Sequence, residues 1–111
     1  MILSEAAIQK KILNWLKSEG FWAVKIVQCN RNGCPDILVS IDGCFVGIEV
    51  KNTGKKTNVS VLQRYQINEI NNTGGLAFVT DSLTHCQSKI NLIKDGIING
   101  SKLPTVLQHN G

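Results

Sequence analysis

Asp36, Glu49 and Lys51 are the side chains of this chain best placed to act together. They sit at the two ends of the stretch 35–51, Pro-Asp-Ile-Leu-Val-Ser-Ile-Asp-Gly-Cys-Phe-Val-Gly-Ile-Glu-Val-Lys. Two apolar, β-branched runs flank Asp42-Gly43, a strong short hairpin signal. With those two residues at the turn, Ile41 faces Cys44 and Asp36 falls opposite Glu49. Facing side chains have Cβ atoms about 4.5–5.5 Å apart, and two like charges there repel unless something positive lies between them. Lys51 follows two residues after Glu49 and so projects from the same face. This register predicts a hard divalent cation gripped by two carboxylates beside a lysine. An ordinary cross-strand ion pair on a solvated surface is the plainer alternative.

The same register sorts the remaining residues. Ile37, Val39, Ile41, Cys44, Val46, Ile48 and Val50 share one wholly apolar face, which predicts the core side. Asp36, Leu38, Ser40, Phe45, Gly47, Glu49 and Lys51 share the other. Gly47 lies within a strand opposite Leu38, where glycine marks a bulge or a close approach of other atoms.

The flanking elements are legible from caps and spacing. Ser4 caps a helix running to about Glu19, stopped by Gly20. Its stripe of Ile8, Ile12 and Trp15 or Leu16 includes Glu5 one turn earlier, an acid that also suits a helix N-terminus. Residues 21–27 predict a first strand, and Asn30-Arg31-Asn32-Gly33-Cys34 a turn-rich link into Pro35. After Lys51 comes a polar, basic loop, 52–58, expected to be mobile. Ser60-Val61-Leu62-Gln63 carries the serine and glutamine of a capping box, opening a helix to about Asn71 that Gly74-Gly75 ends. Residues 76–80 predict a fourth strand. Asp81 or Ser82 then caps a third helix with Leu83, Cys86, Ile90 and Ile93 in register and Gly96 after it. Beyond 97 the pattern weakens, and residues 103–107 read as a short strand or a docked segment. The order is α-β-β-β-α-β-α, an α/β fold with a small mixed sheet, its third and fourth strands parallel neighbours joined by a crossover.

Length and composition set the bounds. With 111 residues, a single domain is expected. At 42% hydrophobic and 18% charged residues the chain reads as globular, not disordered. The net charge of +4 suits a polyanionic partner and gains meaning where Lys51, Lys55, Lys56 and Arg64 cluster. No basic leader precedes an apolar segment and no run approaches bilayer length, so a cytoplasmic protein without a membrane is expected. The four cysteines, at 29, 34, 44 and 86, form no Cys-x-x-Cys pair, and His85 and His109 supply no matching zinc half-site. They read as free thiols.

These residues together resemble the PD-(D/E)xK nuclease superfamily, and within it the virus-type replication-repair nuclease (VRR-NUC) domain. The resemblance rests on Glu5, Gly33-Cys34-Pro35-Asp36, Ile48-Glu49-Val50-Lys51, the Gly-Lys-Lys of the following loop and Ser60-Val61-Leu62-Gln63, and covers residues 4–80. It implies a restriction-endonuclease-like core and metal-dependent hydrolysis of phosphodiester bonds in DNA. Magnesium or manganese would be held by Asp36, Glu49 and the Val50 carbonyl, with Glu5 joining directly or through water. Lys51 would orient water and stabilise developing charge, and Gln63 would face the site or serve only its cap. Arg31, Lys55, Lys56 and Arg64 would hold flanking phosphates. Branched DNA is the implied substrate, cut by a homodimer in the manner of a Holliday junction resolvase. A flap, nicking or restriction-type enzyme, or a non-catalytic DNA-binding domain on the same fold, are the alternatives.

Overall fold

A computed structural model of the chain describes residues 2–99. Its elements, in order, are α1 (Glu5–Ser18), β1 (Trp22–Lys25), β2 (Ile37–Ile41), β3 (Cys44–Val50), α2 (Val61–Asn72), β4 (Leu76–Thr80) and α3 (Leu83–Asn99). The four strands form one sheet in the order β1-β2-β3-β4. The first three are antiparallel neighbours, and β3 pairs with β4 in parallel. A parallel pair needs a crossover, and α2 supplies it.

The hairpin adopts the register its turn residues predict, with Ile41 opposite Cys44 and Ile37 opposite Ile48. Asp42 and Gly43 both have positive φ, 49° and 88°, as a two-residue turn of matching twist requires. Every residue assigned to the apolar face, from Ile37 to Val50, is buried. That face meets Ile8, Ile12 and Leu16 of α1 together with Cys86 and Ile90 of α3, which form one core. Leu16, and not Trp15, takes the fully buried position of the α1 stripe.

The other face is covered by α2 over β3. A Cβ at Gly47 would stand 3.0 Å from Pro35 and 3.4 Å from Ile70, so the glycine marks close packing of the helix and the loop onto the strand. Glu49, on this face, is therefore enclosed and not solvated.

Three expectations need correction. Gly96 lies inside α3, which continues to Asn99. Glycine costs a helix about 1 kcal/mol relative to alanine, and the packing of Ile93 and Ile97 against the core on either side offsets it. Cys29 and Cys34 are joined in a disulfide, leaving Cys44 and Cys86 as the buried free thiols. The bends around Gly33 bring the two ends of the 29–34 loop together, which composition does not reveal. The loop after β3 is anchored, not loose. Its Asn52 and Thr53 side chains accept hydrogen bonds from the main-chain N–H groups of Glu5 and Leu3, and the N–H of Gly54 donates to Asp81. The strand considered at 103–107 lies outside the described residues. No helix among the described residues is long and apolar enough to cross a membrane.

Candidate active site

Asp36 sits one residue before β2, where Pro35 excludes it from the interior of a strand. Its N–H donates to the carbonyl of Ile48, the ladder partner of Ile37, at 3.0 Å, so the chain bends at Asp36 and leaves the hairpin register there instead of pairing it directly with Glu49. Its Oδ2 accepts the Val50 N–H at 2.7 Å, so the carboxylate is clamped against the end of β3. Glu49, one residue before the end of β3, points to the α2 side and is only 2% exposed.

Gln63 closes the arrangement. Ser60 caps α2, its side chain accepting from the Gln63 N–H at 3.1 Å, while Gln63 Oε1 accepts from the Ser60 N–H at 3.0 Å. The same Oε1 also accepts from Lys51 Nζ at 2.8 Å, and Nε2 donates to Glu49 Oε2 at 3.0 Å. The capping box and the site contact are therefore one conformation of one side chain, not alternatives. An amide is the group that can do this, since it presents an acceptor to the ammonium and a donor to the carboxylate. Lys51, 9% exposed, lies 3.8 Å from Glu49 Oε2.

The electrostatics are set by crowded acids. Glu49 is pushed up to about 8, first by burial, then by Asp36 and to a lesser extent Glu5, with Lys51 opposing them. Its Oε1 is buried and receives no hydrogen bond. Two carboxylates side by side have no donor between them, so Asp36 and Glu49 can share only a proton or a cation. An orphaned buried oxygen beside a second carboxylate is the donor chemistry of a hard metal ion such as magnesium or manganese. Among the described residues no set of three or more acidic, histidine or cysteine side chains gathers into a metal cage. A cation here would rest on Asp36, Glu49 and main-chain or water oxygens.

The remaining sequence-predicted residues fall around this centre. Glu5 occupies the first turn of α1, docked to the loop after β3 by its N–H on Asn52 Oδ1 at 2.9 Å. That bond holds its charge close enough to act on Glu49. Val50 ends β3 between the two site residues. Arg31, Lys55, Lys56 and Arg64 are all exposed, with none drawn into the carboxylate cluster. Sequence reasoning missed Asn52, whose side chain ties α1 to the strand bearing the site; its position directly after Lys51 was the available signal.

The loop before Asp36 contributes position, not chemistry. Gly33 has φ +84°, and a Cβ there would stand 2.5 Å from the Leu62 carbonyl carbon, so the loop backbone lies directly on the first turn of α2. The Asn32 carbonyl accepts from Gln66 Nε2 at 3.2 Å. Asp36 and Gln63 are thus referenced to each other through backbone contact.

Two solved structures share this architecture. One, a "VRR_NUC domain", matches with a TM-score of 0.69 and 25% sequence identity over 78% of this chain and 94% of its own. The other, a "VRR_NUC domain protein", gives a TM-score of 0.69 and 20% identity over 82% of this chain and 88% of its own. No family model and no curated protein matches the chain.

Proposed function

We propose that this chain, which has the fold of a VRR-NUC domain and so of a nuclease-type family, is a divalent-metal-dependent endonuclease that hydrolyses phosphodiester bonds in branched DNA. The observation that carries this reading is the buried, unpartnered Glu49 Oε1 beside the Asp36 carboxylate, with Lys51 and Gln63 bonded into the same cluster.

Asp36 and Glu49 would hold magnesium or manganese, with the Val50 carbonyl and, through water, Glu5. Such an ion, when bound, neutralises charge on phosphoryl oxygens and acidifies a coordinated water. The chain's own residues do the rest. Glu49 gives up the proton that its crowded, metal-free state favours. Lys51, bonded to Gln63 and beside Glu49, orients the attacking water or meets the charge that develops on the phosphate, as a stabiliser in preference to a base. Gln63 holds Lys51 and Glu49 in mutual register. The water oxygen bonds to phosphorus and gives its proton to solvent, while the bond from phosphorus to the leaving sugar oxygen breaks and that oxygen takes a proton from solvent to become a hydroxyl. Arg31, Lys55, Lys56 and Arg64 hold neighbouring phosphates, which positions the backbone without reading sequence.

A homodimer acting on a four-way junction would match two sites to two symmetric strands. Matched junction, flap, nicked and linear DNA incubated with and without magnesium is the direct test. Junction cleavage that needs the metal is expected. Preferential cutting of flaps or nicked duplex would move the chain to another nuclease type. Metal-independent binding with no cutting of any substrate would make it a non-catalytic DNA-binding domain.

A further inference from the structure

A groove of about 360 Å³ runs along β4, the last strand of the sheet among the described residues, beside the carboxylate site and lined by none of its residues. Arg64 and Asn68 of α2 form one wall, and His85 and Lys89 of α3 form the other. Lys56 closes one end, and β4 provides the floor. No carboxylate lines it among the described residues.

The floor is a strand edge. The Thr80 carbonyl accepts the Lys51 N–H at 2.9 Å and so turns towards β3. Alternation along the strand then turns the N–H and C=O of Ala77 and Val79 outward. The Asn71 amide takes both groups of Ala77, at 2.8 and 3.2 Å, which blocks a further strand from pairing there. Val79, two residues on, presents its main-chain groups to the groove.

The cations converge. His85 is held below the ordinary imidazole range, first by burial and then by the charges of Lys56 and Lys89, against Asp81. Its Nδ1 lies 2.8 Å from Thr80 Oγ1, which also reaches the Ser82 carbonyl at 3.0 Å. Thr80 bonds Lys51 through its carbonyl and His85 through its hydroxyl, so groove and site meet at one residue. They meet again on α2, where Gln63 faces the site and Arg64 the groove.

Positive walls, polar amides and outward main-chain groups suit phosphate oxygens. Arg64 to Asn71 spans two helical turns, about 10 Å at 1.5 Å per residue. That is longer than a single phosphate and matches consecutive nucleotides of one strand, at about 3.4 Å of rise each. We propose that this groove carries the phosphodiester backbone of the DNA strand leaving the Asp36–Glu49 site, with His85, Lys89, Asn68 and the Val79 main chain joining Lys56 and Arg64 as its contacts. The proposal rests on the nuclease reading for its ligand.

Fluorescence anisotropy of the full chain with labelled single-stranded and junction DNA, in chelator, tests it. Lys89→Ala and His85→Gln should each weaken binding about three- to tenfold, and Lys89→Ala should reduce the slope of log K against log salt by about one. Lys89→Arg should restore most of the affinity. Lys11→Ala, an exposed α1 lysine outside the groove, should change nothing. Thermal midpoints recorded alongside separate lost contacts from lost folding. If Lys89→Ala and His85→Gln fold, bind and, with magnesium, cut as the wild type does, the groove assignment is overturned and the nuclease reading stands. If they weaken binding but the wild type never cuts, the groove stands and the nuclease reading falls. A wild type that binds no DNA overturns both.

Discussion

At the scale of single residues, the chemistry concentrates in a few side chains whose charges are mutually incompatible without help. Replacing either carboxylate by its amide, Asp36→Asn or Glu49→Gln, should reduce metal-dependent cleavage by at least about a hundredfold; junction binding in chelator should persist. Wild-type cutting by either variant would remove it from the site. The raised Glu49 also gives stability a direction with pH. An acid whose folded pKa lies above its unfolded value keeps its proton in the folded state between the two. The metal-free protein should therefore lose stability as pH rises from about 4.5 to about 8. Thermal midpoints across that window should fall in the wild type and fall less in Glu49→Gln. Added magnesium should raise the midpoint more at the upper end of the window, where it no longer competes with a proton. Gln63 has two duties that can be separated. Ser60→Ala removes one capping bond, costs about 1 kcal/mol and should leave kcat unchanged. Gln63→Ala also removes the bonds to Lys51 and Glu49, so it should lower kcat as well as stability.

At the scale of elements, three pieces hold the site residues in place: the hairpin, the first turn of α2, and the loop from Cys29 to Cys34. Gly33 joins the last two, because only a glycine fits its positive φ against the Leu62 carbonyl. Gly33→Ala should destabilise the fold by more than about 2 kcal/mol and depress activity with it, measurable as a shift in the denaturation midpoint. The Cys29–Cys34 disulfide closes a loop so short that its entropic contribution is at most about 2 kcal/mol. A reducing agent should therefore lower the thermal midpoint by a few degrees without unfolding the protein. Much of this scale is legible beforehand. Ser4, Ser60, the Asp42-Gly43 turn and the period-2 alternation of 37–50 each announce an element through local chemistry that tertiary packing reinforces. Gly96 misleads because its local cost is smaller than the burial that continues α3 past it.

For the whole molecule, charge distribution and symmetry govern what binds. Cations line the groove along β4, and Arg31 lies in the loop that Gly33 packs onto the first turn of α2. A strand held by these cations should bind more weakly as salt rises. If the substrate is a four-way junction, sedimentation equilibrium should give twice the 12.2 kDa chain mass, at the latest when junction DNA is added. A strict monomer on junction DNA would rule out the paired-cut mechanism while leaving cleavage of flaps or nicks open.

By itself, the sequence determined the hairpin register from Ile37 to Ile48 and the apolar core face. Both follow from the turn dipeptide and the two-residue period, which are properties of neighbouring residues. Only the tertiary structure decided that Glu49 is enclosed, that Gln63 bonds Lys51 and Glu49 while capping its own helix, and that His85 and Lys89 face Arg64 across a groove. Those relations join β3 to α2 and α2 to α3, elements separated in the chain. They depend on how closely α2 seats over Gly47 and Gly33, and a seating distance is set by packing, not by any local pattern of residues.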